Sequence, residues 1–500
     1  MALPLSLHFE SATQLLQRLA SKELSALELV DHFVARIERW DGAVNAVVVR
    51  DFERARKQAR RSDDERARGH ACGPLHGLPV TVKESFNVKG LPTTFGHESM
   101  RHHVAKDDAV TVARLKAAGA IVLGKTNVPV SLADWQTFNP VYGTTRNPWN
   151  LERTPGGSSG GSAAALAAGF CALELGSDIG ASIRNPAHYC GVWGHKPTWG
   201  TVTLAGHTLA PRALTETDIS APGPMARSAR DLALALDVLS APLTAWSPLG
   251  RVPISWRDDA RAPTACRVGV IWDDEEAPVD EAVRRPLQSL VEWLARQGVQ
   301  VVDLTHPQPQ AGSQGQRPVD SAEAHDVYIH MLRAITGARY DPAAYDHAKA
   351  QAATLAPGDE SYRARLFRGN TLTYRDFMQY EERKERLRQR WAAFFESFDL
   401  LICPVATTAA FPLNPHGERW ERMVMVNGRP QPSTTALFWA GYPALVGLPA
   451  TAIPLGQSAE GLPVGAQVVA RPYADPLALR FAAWLESEWY GFKAPHGLDI

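Results

Sequence analysis

Apolar residues recur at helical spacing near the start of the chain. The residues on this predicted helix face are Leu27, Val30, Phe33, Val34 and Ile37. Ser25 precedes them and Glu28 stands three residues later, the pattern of a capping box, and Ser11 is the predicted N-cap of an earlier helix. Residues 51–68 continue as a charged, solvent-facing helix. We therefore expect residues 1–70 to form a helical N-terminal arm.

From Pro79 onward the pattern changes to short apolar runs between helical segments. A helix is predicted over residues 109–118 and another over 280–296, and buried strands are predicted over residues 80–82, 120–124, 171–175, 267–272, 299–303, 400–404, 444–446 and 464–469. Residues 307–318, rich in Pro, Gln and Gly, are expected to be an exposed linker, and residues 322–398 to be helical. This alternation predicts an α/β protein with a central sheet covered by helices on both faces.

Two stretches rich in Gly and Ser are the part of the chain that carries chemistry. One reads Thr-Pro-Gly-Gly-Ser-Ser-Gly-Gly-Ser over residues 154–162, and the other Gly-Ser-Asp-Ile-Gly-Ala-Ser-Ile-Arg over residues 176–184. A small-residue helix is predicted between them over residues 162–168, closed by Gly169. A flexible linker is excluded by the apolar flanks, and a phosphate loop lacks its Gly-Lys-Ser/Thr ending. A nucleophile site is the remaining interpretation.

The paired stretches resemble the signature of the amidase signature family of serine hydrolases. A further segment, Gly-Pro-Leu-His-Gly-Leu-Pro-Val-Thr-Val-Lys-Glu over residues 73–84, resembles the strand that carries the family's lysine. The resemblance implies a triad of Lys83, Ser158 and Ser182, with Ser182 as the nucleophile. It also implies a cis peptide bond between Gly157 and Ser158. Ala181 departs from the family, which usually has glycine there, and we expect an altered acyl pocket with an intact mechanism.

The roles that the resemblance implies need these residue types for chemical reasons. A serine hydroxyl is a weak nucleophile that needs a neighbouring base, and lysine is a base only when burial lowers its pKa and keeps it neutral. Ser158 would pass the proton from Ser182 to Lys83 and later return it to the leaving amine. The candidate oxyanion hole consists of four backbone N–H groups, those of Ile179, Gly180, Ala181 and Ser182.

The resemblance extends over nearly the whole chain and implies one large fold with a central mixed, twisted sheet and a helical cap. The segments are the arm over 1–70, the core with the catalytic loops over 71–240, an α/β and helical insert over 241–398 that would set substrate preference, and C-terminal strands and a helix over 399–500. Candidate substrate-binding residues are Trp135, Gln136 and Gly157. For Trp135, a structural role fits the sequence at least as well as a role in substrate binding. We interpret His195 as structural.

The charge and the cysteine content of the chain limit the kinds of ligand and partner that we expect for it. The 500 residues carry 52 basic and 53 acidic side chains, so no basic patch points to nucleic acid or to an anionic membrane. The five cysteines are scattered and form no Cys-x-x-Cys pair, which predicts no metal site and a reducing, cytoplasmic location. We expect no cofactor, no secretion signal and a small-molecule amide or carbamate as substrate; a homodimer is compatible with the sequence.

Three functions remain open at this point. The first is a stand-alone amidohydrolase that cleaves an aryl amide, an anilide or a carbamate. The second is the A-type component of glutamyl-tRNA(Gln) amidotransferase, which resembles the same family and passes ammonia from glutamine to a partner-bound aminoacyl-tRNA. Residues 204–211 look more like free-standing amidases than like that component. The third is a catalytically silent binding protein, which the presence of all three triad residues disfavours.

Overall fold

A computed structural model describes residues 7–70, 72–209, 216–240, 260–306 and 316–496. Its strands are β1 Val47–Arg50, β2 Pro79–Lys83, β3 Ile121–Thr126, β4 Phe138–Asn139, β5 Gly143–Thr144, β6 Leu173–Asp178, β7 Trp193–Lys196, β8 Ala221–Ala226, β9 Arg267–Val270, β10 Gln300–Asp303, β11 Leu400–Pro404, β12 Met423–Val426, β13 Arg429–Pro432, β14 Ala450–Gln457 and β15 Pro463–Ala470.

Its α-helices are α1 Ala12–Ala20, α2 Ala26–Val44, α3 Phe52–Ala67, α4 Val110–Ala117, α5 Gly160–Ala167, α6 Arg184–Cys190, α7 Ala229–Leu239, α8 Glu281–Arg296, α9 Ser321–Gly337, α10 Pro342–Ala353, α11 Tyr362–Asn370, α12 Tyr374–Ser397, α13 Leu437–Ala444 and α14 Asp475–Glu488. Ser11 and Ser25 cap α1 and α2 through capping boxes, as the sequence predicts.

Eleven strands form one mixed sheet in the order β1-β3-β2-β6-β8-β7-β14-β15-β11-β9-β10. Strands β3, β2 and β6 are mutually parallel, whereas β8 pairs antiparallel with both β6 and β7. The central strands are buried along their whole length because helices cover the sheet, and this explains their continuous apolar runs. The α/β fold predicted from the sequence is confirmed.

The structure differs from the sequence prediction at residues 444–446. The strand predicted over residues 444–446 is wrong: Ala444 ends helix α13, the next three residues form a turn, and the strand begins at Ala450. Periodicity failed because α13 is buried on all sides, so its apolar run has no polar face to mark a helix. The predicted linker over 307–318 lies largely outside the described residues.

The segment over 241–398 contributes to the sheet as well as to the helical layer. Strand β9 pairs in parallel with β11, and β10 continues the sheet beyond β9. Helices α9 to α12 follow, and α9 packs beside α11, α12 and α13. In the described part of the chain, no helix is both long enough and apolar enough to cross a membrane.

Candidate active site

The sheet topology brings the lysine and the nucleophile loop to one edge. Strands β2 and β6 are parallel neighbours, β2 ends at Lys83 and β6 ends at Asp178, directly before the loop over 179–182. Because parallel strands share their carboxyl edge, Lys83 lies beside this loop. Helix α5 begins at Gly160, two residues after Ser158, and therefore presents the second serine from the other stretch.

Lys83 is fully buried and makes three polar contacts. Its Nζ lies 2.7 Å from the Ser158 hydroxyl, 2.9 Å from the Ser177 hydroxyl and 3.3 Å from the Ser177 carbonyl oxygen. Burial lowers the pKa of Lys83 from 10.5 to about 7, although the charges of Asp178 and Glu174 act to raise it. A substantial fraction of Lys83 is therefore neutral near neutral pH.

The two Gly/Ser stretches are joined by direct hydrogen bonds. The backbone N–H of Ser159 donates to the carbonyl oxygen of Ser182 at 3.1 Å, and that of Gly157 donates to Asn185 Oδ1 at 3.2 Å. The peptide bond between Gly157 and Ser158 is cis. A side chain at Gly157 would lie 2.2 Å from the carbonyl oxygen of Asp134, so only glycine fits there. These contacts place the backbone of Ser182 against that of Ser159, the neighbour of Ser158, whose hydroxyl contacts Lys83.

A buried ion pair between Asp178 and Arg184 connects the two ends of the nucleophile loop. Arg184 donates from Nε and Nη2 to the two carboxylate oxygens of Asp178, both at 2.9 Å, and the same carboxylate accepts the N–H groups of Ile183 and Arg184. Burial alone would raise the pKa of Asp178, but Arg184 holds it below its usual value, so Asp178 stays ionised. Arg184 also bonds to Gln467 of β15 at 2.8 Å, which ties the loop to the C-terminal strands.

The four residues predicted as the oxyanion hole form a tight turn. Within the described residues, none of the N–H groups of Ile179, Gly180, Ala181 and Ser182 has a hydrogen-bond acceptor. Ala181 has φ of +60°, a conformation that glycine adopts more readily, and its side chain is fully buried. The departure from glycine is accommodated without loss of the N–H donor.

The candidate substrate-binding residues have different surroundings. Trp135 is half-buried, and its Nε1 donates to the carbonyl oxygen of Gly180 at 2.8 Å. Gln136 is buried, and its amide makes two hydrogen bonds to the backbone of Asn414, at 2.9 and 2.7 Å. The structure thus brings Trp135 and Gly157 to the catalytic loops, whereas the amide of Gln136 fixes a distant loop.

Sequence reasoning missed three residues of this site. Ser177 was part of a noted motif but received no role, although its hydroxyl contacts Lys83. Glu174 is buried in β6 with Oε1 accepting from Thr126 at 2.6 Å. Tyr328 comes from α9, and its hydroxyl donates to the carbonyl oxygen of Ile179 at 3.0 Å. Neither Glu174 nor Tyr328 lies in a motif, so the sequence carried no signal for them.

His195, which we interpret as structural from the sequence, is buried with a polar partner at each ring nitrogen. Its Nε2 lies 3.2 Å from Asp475 Oδ1 and its Nδ1 lies 2.9 Å from Thr451 Oγ1, with the ring fully buried in β7. Over the described ranges, no group of three or more His, Cys, Asp and Glu side chains is arranged to hold a metal ion.

The mixed sheet covered by helices, with the two Gly/Ser stretches at one of its edges, is the fold of an amidase. The Amidase family matches residues 28–479, so the chain belongs to the amidase signature family. The A-type component of the glutamyl-tRNA(Gln) amidotransferase of Synechococcus sp. (strain CC9311) is 32% identical, with 93% of this chain and 94% of that protein covered.

Two solved structures extend the comparison. One belongs to a vestigial protein complex described as revealing the evolutionary origins of an s-triazine catabolic enzyme, with 29% identity, a TM-score of 0.79 and coverage of 97% of this chain and 99% of that one. The other is an amidase with 28% identity, a TM-score of 0.75 and coverage of 96% and 99%.

Proposed function

We propose that this chain is an amidohydrolase that cleaves a carbon–nitrogen amide bond through an acyl-enzyme on Ser182. The observation that carries the proposal is the contact of 2.7 Å between a fully buried Lys83 and Ser158, next to a loop whose N–H groups have no acceptor among the described residues. A lysine with its pKa lowered to about 7 is suited to accept a proton at physiological pH.

The proposed reaction has two halves. Ser182 Oγ attacks the carbonyl carbon and gives its proton to Ser158, which gives its own proton to neutral Lys83. The N–H groups of the loop over 179–182 stabilise the oxyanion. When the C–N bond breaks, the proton returns through Ser158 to the leaving amine. Water then attacks the acyl-enzyme, again with Lys83 as the base, and releases the acid and free Ser182.

The proposed substrates are small aryl amides, anilides and carbamates, because each places a C–N bond beside an electrophilic carbonyl. Similarity to an amidase structure supports hydrolysis as the reaction class. The test is a panel of benzamide, acetanilide, hexanamide, phenyl carbamate and 4-nitrophenyl acetate with the purified chain. Ser182→Ala should lower turnover on the best substrate by about 10⁴-fold or more. More than a tenth of the activity left in Ser182→Ala would contradict the assignment, and so would no turnover together with no labelling by a fluorophosphonate.

A second candidate is the glutaminase half-reaction of an amidotransferase. It is favoured by the glutamyl-tRNA(Gln) amidotransferase relative that aligns over 93% of this chain. It is disfavoured by the resemblance of residues 204–211 to free-standing amidases. L-glutamine in the same panel decides between the two, since a stand-alone amidase should prefer the aryl substrates, whereas ammonia release from glutamine above all other substrates would support the amidotransferase interpretation.

A further inference from the structure

The carbonyl oxygens of the nucleophile loop are all bound to donors outside the turn. Ile179 O accepts from the hydroxyl of Tyr328 at 3.0 Å and Gly180 O accepts from Trp135 Nε1 at 2.8 Å. Ala181 O accepts from the N–H of Asn185 at 2.6 Å, and Ser182 O accepts from the N–H of Ser159 at 3.1 Å. Two of these four donors are side chains from distant parts of the sequence.

The direction of each carbonyl fixes the direction of the next N–H. In a trans peptide unit the C=O and the following N–H lie in one plane and point to opposite sides. A donor that holds the carbonyl of Ile179 therefore turns the N–H of Gly180 the other way, and a donor on Gly180 O does the same for the N–H of Ala181. Neither of these N–H groups has an acceptor among the described residues.

We propose that Tyr328 and Trp135 are positioning residues that clamp the oxyanion hole, by holding the carbonyl groups whose peptide planes carry the N–H groups of Gly180 and Ala181. This inference rests on the proposed function, because it concerns the stabilisation of the tetrahedral intermediate on Ser182. It gives Trp135 a role different from direct substrate binding, and it gives the helical segment over 241–398 a part in the chemistry through α9.

Both clamp residues are themselves held firmly. The ring of Tyr328 packs on Gly441 of α13 so closely that a side chain at Gly441 would lie 2.2 Å from it, and Tyr328 is 1% exposed. Burial raises the pKa of the Tyr328 phenol, so it remains a hydrogen-bond donor at any physiological pH. Trp135 packs against a small apolar cluster of Tyr189, Ala406 and Ala410.

The clamp suits the unusual residue at 181. Ala181 holds φ of +60°, a left-handed conformation that is strained for a residue other than glycine. The hydrogen bonds on either side of it, from Trp135 to Gly180 O and from Asn185 to Ala181 O, oppose relaxation to a more common conformation. Electrostatic stabilisation of an oxyanion depends on donors fixed in advance, so a loosened turn should slow chemistry more than it weakens substrate binding.

The test uses Tyr328→Phe and Trp135→Phe in the full chain, since each removes one donor and keeps an aromatic ring. With the best amide of the panel, each variant should lose about 10- to 100-fold in kcat while KM changes less than about threefold. Inhibition by phenylboronic acid, which forms a tetrahedral adduct with a reactive serine, should weaken by a similar factor. The pH dependence set by Lys83 should not move, because neither variant touches the base.

Two control variants separate the clamp from general damage. Tyr442→Phe removes a buried hydroxyl that has no partner among the described residues. Trp149→Phe removes a hydrogen bond of 2.9 Å from the indole N–H to the carbonyl oxygen of Cys190, away from the nucleophile loop. Both should keep wild-type kcat. If Tyr328→Phe unfolds, Trp135→Phe carries the test alone.

The outcomes distinguish this inference from the proposed function. Unchanged kcat and unchanged boronate inhibition in a folded clamp variant, with Ser182→Ala still inactive, would overturn the clamp and leave the amidase proposal standing. A rise in KM with kcat unchanged would also overturn it, because it would make these side chains part of substrate binding. Substantial activity in Ser182→Ala would instead remove the reaction on which the clamp depends.

Discussion

At the scale of single residues, burial lowers the pKa of Lys83 to about 7, which is what its proposed role as base requires. Lys83, Ser158 and Ser182 could be proposed as a triad from the sequence because each lies in a contiguous motif. Tyr328 was not predictable, because its contact with Ile179 spans 149 positions and depends on the packing of α9 against the loop. The sequence placed Trp135 near the site. Its hydrogen bond to Gly180 could not be inferred, because Trp135 lies in a loop rich in turn-forming residues.

The activity should depend on the protonation of Lys83. Since only the neutral amine acts as base, kcat/KM should rise about tenfold per pH unit below about 7 and level off above it. A profile measured over about pH 5 to 9 checks this. Glu174→Gln should move the rising limb slightly to lower pH, because the charge of Glu174 raises the pKa of Lys83. The shift should be small because burial raises the pKa of Glu174 itself to about 7, so that this carboxyl is partly protonated on the limb. A limb at the same pH in that variant would show that Glu174 does not influence the base.

Ser158 should matter more for amides than for activated esters. An amine leaving group must receive a proton, which Ser158 is positioned to return from Lys83, 2.7 Å away, whereas nitrophenolate leaves without one. Ser158→Ala should therefore lower kcat/KM for an amide at least about tenfold more than for the matched 4-nitrophenyl ester. Equal losses on the two substrates would argue that Ser158 only supports the loop.

At the scale of elements, the apolar runs in the sequence indicated many of the buried strands but not those with an unusual composition. Strand β8 was missed because it contains Pro222 and Pro224, which are uncommon inside a sheet, yet it pairs with β6 from Leu173 to Asp178. Helix α5 was predicted over 162–168 and begins two residues earlier, at Gly160. Its two glycines are required because other elements lie close to them. A local sequence pattern cannot indicate such contacts.

Glycines in two helices should respond to alanine in opposite ways. In α5, a side chain at Gly161 would lie 2.3 Å from the backbone nitrogen of Asn127, so Gly161→Ala should push the helix from β3 and destabilise the fold by about 1–3 kcal/mol. Gly42 in α2 is exposed, with nothing within 4 Å of the added carbon, and Gly42→Ala should stabilise by about 0.5–1 kcal/mol. Urea unfolding of both variants measures the contrast, and stabilisation by Gly161→Ala would refute the packing of α5.

At the scale of the whole molecule, the segments that we defined from the sequence contribute strands to one sheet and side chains to one hydrophobic core. Strand β7, within the predicted core over 71–240, pairs with β14 from the C-terminal segment, and β9 from the insert pairs with β11. A single hydrophobic cluster includes residues from Leu7 to Leu485. The order of strands in this sheet could not be predicted from periodicity, because β14 and β15 follow the helical insert in sequence but lie inside the sheet, between β7 and β11.

We therefore propose that the four segments form one cooperative unit. A fragment over residues 1–240 should not fold alone, because it would expose the edge of β7 that pairs with β14 and would lose the bond from Arg184 to Gln467. In the full chain, far-ultraviolet circular dichroism, tryptophan fluorescence and loss of amidase activity should follow one urea transition. A fragment with a cooperative transition of its own, or activity lost well before the helical signal, would show instead that the catalytic loops belong to a separately folding part.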